Sequence, residues 1–139
     1  MGRKTFEASA PGRGMFGDMR IVVVSRTLDA SRQKGITVIA DDVASAVTAL
    51  KNEPGKDIWL FGGGELFRTL LDLDLVDTVE LAVIPILLGG GLPLLPPSKK
   101  RAPLALKNHR VYAKTGTVVL EYEVARTAAP RSKRRRRAD

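Results

Sequence analysis

Residues 57–65 read Asp57-Ile58-Trp59-Leu60-Phe61-Gly62-Gly63-Gly64-Glu65, a short apolar run that passes into three consecutive glycines. A run of four to eight apolar and aromatic residues ending at glycine is expected as a buried strand. Beyond the glycines, Glu65 to about Leu73 sets Leu66, Phe67, Leu70 and Leu71 on one side of a helix. The segment therefore predicts a strand, a tight turn and a helix start. Unpaired N–H groups at a helix N-terminus, together with the helix dipole, attract an anionic group. Glycines remove the Cβ atoms that would hold a phosphate or a flat ring away. The triplet alone serves equally as a turn that binds nothing, because it lacks the G-x-G-x-x-G spacing. Glu65 suits the dipole but repels a phosphate directly beside it, which leaves room for a ligand lying along the glycines.

Working outward, the flanking segments alternate between strand and helix patterns, as in an α/β domain with a mostly parallel sheet flanked by helices. Arg20-Ile-Val-Val-Val-Ser25 and Ile36-Thr-Val-Ile39 are β-branched runs expected as buried parallel strands. Asp41 or Asp42 can cap a helix in which Val43, Val47 and Leu50 recur, and Pro54-Gly55 ends it. Thr78 to Ile84 reads as a fourth strand closed by Pro85. Leu87 to Pro97 is a Gly/Pro-rich loop, with Gly89-Gly90-Gly91 expected near a substrate mouth or a dimer interface. Val111 to Lys114 and Thr117 to Val124 flank Thr115-Gly116 and predict a C-terminal antiparallel hairpin. Trp59, Phe61, Phe67, Leu70 and Leu81 are expected in the core, and His109 at the surface near a strand start.

The chain has 139 residues, room for one domain core, and a formal net charge of +8. Most of that charge sits at the end. Residues 126–139 hold seven basic residues against Asp139, for +6, and residues 1–125 carry only +2. The two parts read as a domain over 1–125 and a disordered basic tail over 126–139. A polybasic tail binds nucleic acid weakly through its phosphates, but this one has no interleaved aromatics and the body is almost neutral. With no cysteine and one histidine, thiolate and multi-histidine metal sites are excluded. No apolar run is long enough to span a bilayer and no secretory leader is visible, so a cytoplasmic location is the default expectation.

Two further stretches carry groups suited to phosphate. Arg3 and Thr5 sit at the start of a helix beginning near Gly2, where a guanidinium and a hydroxyl complement an anion. Ser25-Arg26 ends the first strand, and ligands of open α/β sheets bind beyond the carboxyl ends of strands. Taken singly, each has a plain reading as a solvated charge, a cap or a loop entry.

The succession Met1-Gly-Arg-Lys-Thr-Phe-Glu7, Ile21-Val-Val-Val-Ser-Arg26 and Ile58-Trp-Leu-Phe-Gly-Gly-Gly-Glu-Leu66 resembles the dihydrofolate reductase superfamily. Ile84-Pro-Ile-Leu-Leu-Gly-Gly-Gly-Leu-Pro-Leu94 and Lys114-Thr-Gly-Thr-Val-Val-Leu-Glu-Tyr122 resemble its branch containing the reductase domain of riboflavin biosynthesis, the RibD C-terminal type. The resemblance covers residues 1 to about 125. It implies NADPH as cofactor, with Arg3 at the 2′-phosphate, Thr5 at the pyrophosphate and Ser25 and Arg26 on the adenosine side. Gly62, Gly63 and Gly64 would line the pyrophosphate and nicotinamide ribose, with Glu65 also among the cofactor-binding residues, and a cis peptide is expected between Gly62 and Gly63. The implied chemistry is hydride transfer to a small heterocyclic or ribosyl substrate, of the phosphoribosylaminouracil reductase type, in a possible homodimer.

The same resemblance implies a segment ahead of the Gly-Arg-Lys-Thr motif that supplies a strand, a loop over the nicotinamide and a helix lining the substrate pocket. In the sequence as given the fold is expected to be incomplete at its N-terminus, no catalytic acid or base is assigned, and the chain alone is expected to be a poor enzyme. A non-catalytic scaffold keeping the same fold is the alternative reading.

Overall fold

The computed structural model describes residues 1–9, 14 and 16–125. The expected basic tail at 126–139 lies outside the described residues. The chain divides into two units, Met1–Val76 with Leu88–Lys100, and Asp77–Leu87 with the chain from Arg101 onward. The described elements are those of the expected α/β class: a parallel strand pair and three α-helices in the first unit, and an antiparallel sheet built on a C-terminal hairpin in the second.

In the first unit the elements are α1 (Arg3–Ser9), β1 (Ile21–Val24), β2 (Ile36–Ile39), α2 (Val43–Asn52) and α3 (Gly64–Asp72). Strands β1 and β2 are parallel neighbours, in register from Ile21 opposite Ile36 to Val24 opposite Ile39. Their β-branched side chains suit a strand buried on both faces, and Val23 is fully enclosed. Asp42 caps α2, its Oδ1 accepting the Ser45 N–H at 3.1 Å. Helix α3 buries Leu66, Leu70 and Leu71, the face expected from their spacing. With Phe6, Phe16, Val23 and Ile39 these leucines make the buried apolar set of this unit.

The free edge of β1 is taken by the first two residues. The Met1 amino group donates to the Val22 carbonyl and the Val24 N–H donates to the Met1 carbonyl, both at 2.9 Å. Gly2 forms a parallel bridge with Val24, and its own N–H donates to the Gly62 carbonyl at 2.9 Å. This arrangement corrects the expected strand at 57–61. The chain between β1 and that segment is only two residues wide; among the described residues it bonds the segment's far end at Gly62, and residues 57–61 form no strand. Trp59 does not join the core either, being 61% exposed. Its ring instead meets Phe61 edge-on at 5.0 Å, and Phe61 meets the buried Phe16 in the same way.

The second unit contains β3 (Thr78–Val83), β4 (Leu104–Tyr112) and β5 (Thr117–Val124), antiparallel in the order β3-β5-β4. The hairpin closes through the Gly116 N–H, which donates to the Tyr112 carbonyl at 2.8 Å, with Gly116 at a φ of 70°. Strand β4 begins at Leu104, seven residues ahead of the expected start at Val111, and His109 lies within it opposite Leu120. The pattern hid this because the register shifts between Leu106 and Asn108, and a bulge breaks the two-residue alternation. Across the bulge, Lys107 pairs with Glu123 at 2.9 Å. Among the described residues no helix is long and apolar enough to cross a membrane.

Candidate functional site

Four chain segments end along one edge of the parallel pair. Val24-Ser25 leaves β1, and the Ser25 N–H donates to the Ile39 carbonyl at 2.9 Å, tying it to the end of β2. Gly2 is joined to Val24 on one side and to Gly62 on the other. This edge is the carboxyl end of both strands, where open α/β sheets place their ligands.

At the glycine turn the Gly62-Gly63 peptide is cis, and Gly62 has a φ of 128°. Helix α3 starts from Gly63 with no side chain capping its first turn, so its leading N–H groups are open to an external acceptor. Thr5, in the first turn of α1, sits against these glycines. A Cβ at Gly63 would stand 3.2 Å from the Thr5 Oγ1, and one at Gly62 3.7 Å from it. The Thr5 hydroxyl has no hydrogen bond among the described residues. At Gly64 the physical need for glycine is internal, because a Cβ there would lie 2.8 Å from the Leu94 carbonyl oxygen. Sequence reasoning missed Leu94, for nothing local to residues 62–65 signals a loop thirty residues on. Glu65 is exposed on the first turn of α3.

Beside the strand ends lies an open cleft of about 420 Å³, whose lining includes Ser25, Arg26, Asp41, Asp42 and Val43. Ser25 shapes its rim, the Oγ accepting the N–H groups of Thr27 at 3.1 Å and Leu28 at 3.0 Å. Arg26 is exposed, with no hydrogen bond or ion pair among the described residues. The Ser45 hydroxyl and then its amide hold the Asp42 carboxyl below the usual carboxylate range, so it stays ionised. The sequence offered Asp41 and Asp42 only as alternative helix caps. Asp42 takes that role, and both residues line the cleft. An acidic pair directly after a β-branched strand was the available signal.

The structure thus brings Thr5 to the glycines and sets Ser25 with Arg26 at the cleft. Arg3 stands apart. Its Nη1 lies 3.0 Å from both carboxylate oxygens of Glu7, one turn along α1, and Arg3 is not among the cleft lining.

Solved structures define the class first. The chain matches a Shewanella sp. PV-4 protein named for riboflavin biosynthesis with a TM-score of 0.76 and 21% identity, over 91% of this chain and 72% of that one. A pyrimidine reductase-like protein of Corynebacterium diphtheriae matches with a TM-score of 0.65 and 18% identity, over 91% and 75%. These establish a dihydrofolate reductase-like fold. Residues 1–120 match the RibD C-terminal domain, and the chain belongs to that family. It is 40% identical over 100 residues to YyaP, an uncharacterized protein of Bacillus subtilis (strain 168), covering 72% of this chain and 52% of YyaP. YwjB of the same organism is 29% identical over 114 residues, covering 81% of this chain and 66% of YwjB. The chain therefore spans about half the length of YyaP and about two thirds of YwjB.

Proposed function

We propose that this chain binds a reduced nicotinamide dinucleotide, NADPH as in the reductases of its family, and serves reduction of a small heterocyclic or ribosyl substrate of the phosphoribosylaminouracil type. The carrying observation is Gly2, whose backbone bonds draw the Ser25-Arg26 corner and the glycine turn to one edge. The residues there suit the cofactor. An uncapped helix start beside the Thr5 hydroxyl offers donors to a pyrophosphate. The 420 Å³ cleft with Arg26 falls in the usual range for a small-molecule site and suits an adenosine.

When bound, the cofactor supplies a hydride, and the protein's share is orientation. The Thr5 hydroxyl and the first amides of α3 hold the diphosphate in place. Gly62 and Gly63 let the chain approach without side chains, and Ser25 fixes the corner that Arg26 uses to reach the adenosine end. No residue is assigned the proton transfer.

An amide chemical-shift titration of the chain with NADPH tests the reading. It expects shifts at Thr5, Ser25, Arg26 and Gly62 to Glu65. Thr5→Val should weaken binding about tenfold, the effect of one lost hydrogen bond to a charged group. NADPH that perturbs none of these amides rules the reading out.

A further inference from the structure

We propose that Asp41 is a specificity-determining residue that opposes a 2′-phosphate in the cleft beyond β1 and β2, so that NADPH and NADH bind with similar affinity. The proposal rests on the dinucleotide reading above and concerns its adenosine end. Among the described residues, three charged ones line the cleft: the cation Arg26 against Asp41 and Asp42, a net charge of −1. Arg3, the cation the resemblance places at the 2′-phosphate, is engaged by Glu7 and lies outside the lining.

The two carboxylates are not equivalent. Asp42 is committed to the first turn of α2 through Ser45, which keeps it ionised and fixed. Asp41 is exposed, two residues beyond the end of β2, with no hydrogen bond or ion pair among the described residues. Across from it Ser25 is tied to β2 by the bond to Ile39, so Arg26 and Asp41 leave the ends of adjacent parallel strands. A carboxylate at that place in a dinucleotide-binding sheet accepts hydrogen bonds from a ribose 2′-hydroxyl, whereas an arginine there accommodates a 2′-phosphate. Here both are present. A phosphomonoester carries about −1.5 to −2 charges, so Arg26 attracts it while Asp41 repels it. A free ribose diol loses the attraction but gains an acceptor in Asp41.

The test is a parallel titration of the full chain with NADPH and NADH, read by amide chemical shifts, with 2′,5′-ADP and 5′-ADP as probes of the adenosine end. The unaltered protein should bind the two dinucleotides within a few-fold of each other. Asp41→Asn should tighten NADPH relative to NADH about tenfold, as expected for removing one like charge at close range. Arg26→Gln should shift the ratio the other way by a similar factor. Both positions are exposed, and the undisturbed amides of β1 and α3 verify folding. A preference of a hundredfold or more for NADPH in the unaltered chain overturns the proposal. So does an Asp41→Asn ratio that stays constant while both dinucleotides still bind at Ser25 and Arg26, and in that case the dinucleotide reading survives. Absence of binding by both dinucleotides and both probes overturns the proposal and that reading together.

Discussion

At Gly64 a methyl group would stand 2.8 Å from the Leu94 carbonyl oxygen, an atom of the backbone that cannot swing aside. Gly64→Ala is therefore expected to destabilise the fold by about 1–3 kcal/mol, the usual cost of overpacking. Gly55→Ala, with nothing within 4 Å of the added carbon, should change stability by no more than about 0.5 kcal/mol. Urea denaturation of both variants checks the pair, and equal midpoints would contradict the contact. At this scale the sequence was informative about residue type and silent about cause. Three glycines in a row announce a need for missing side chains. That Thr5 stands over Gly63 and Leu94 over Gly64 depends on chain returning from far away.

Among the elements, α2 depends on a single carboxylate at its start. The Asp42 carboxyl titrates below its ordinary range when folded, because the Ser45 hydroxyl and amide stabilise the charged form. Its contribution is thus complete above the ordinary carboxylate range and is lost as pH falls through the lowered value. The Ser45 amide resonance should follow that acid-side titration, and Asp42→Asn should abolish it while leaving the Asp29–Ser31 turn responsive. A Ser45 amide that titrates unchanged in the variant would assign the effect elsewhere. Helices were the legible elements, since the Leu66, Leu70 and Leu71 spacing and the Asp before Val43 are local signals. Strands were less so. The segment 57–61 has the composition of a strand but only two residues of neighbouring chain, and strand formation is a property of pairs. In β4 the bulge at Lys107 hid the alternation over seven further residues.

For the whole molecule, charge is uneven along the sequence, with +6 in residues 126–139 and +2 in the remainder. Removing those fourteen residues should abolish retention on an immobilised polyanion at low salt, and leave dinucleotide titrations unaltered. Retention that survives the deletion would place the binding on the body. The family and its fold were legible in the order of the motifs. The electrostatic character of the cleft was not, because Asp41 and Arg26 share one cleft only once β1 and β2 lie side by side. Trp59 is the sole tryptophan of the chain, set in water three residues ahead of the glycine turn. An indole in that position emits at long wavelength, where reduced nicotinamide absorbs, so a dinucleotide arriving at Gly62 would drain its excited state by energy transfer. On the proposed binding, this single tryptophan would report occupancy, with no second indole to obscure it.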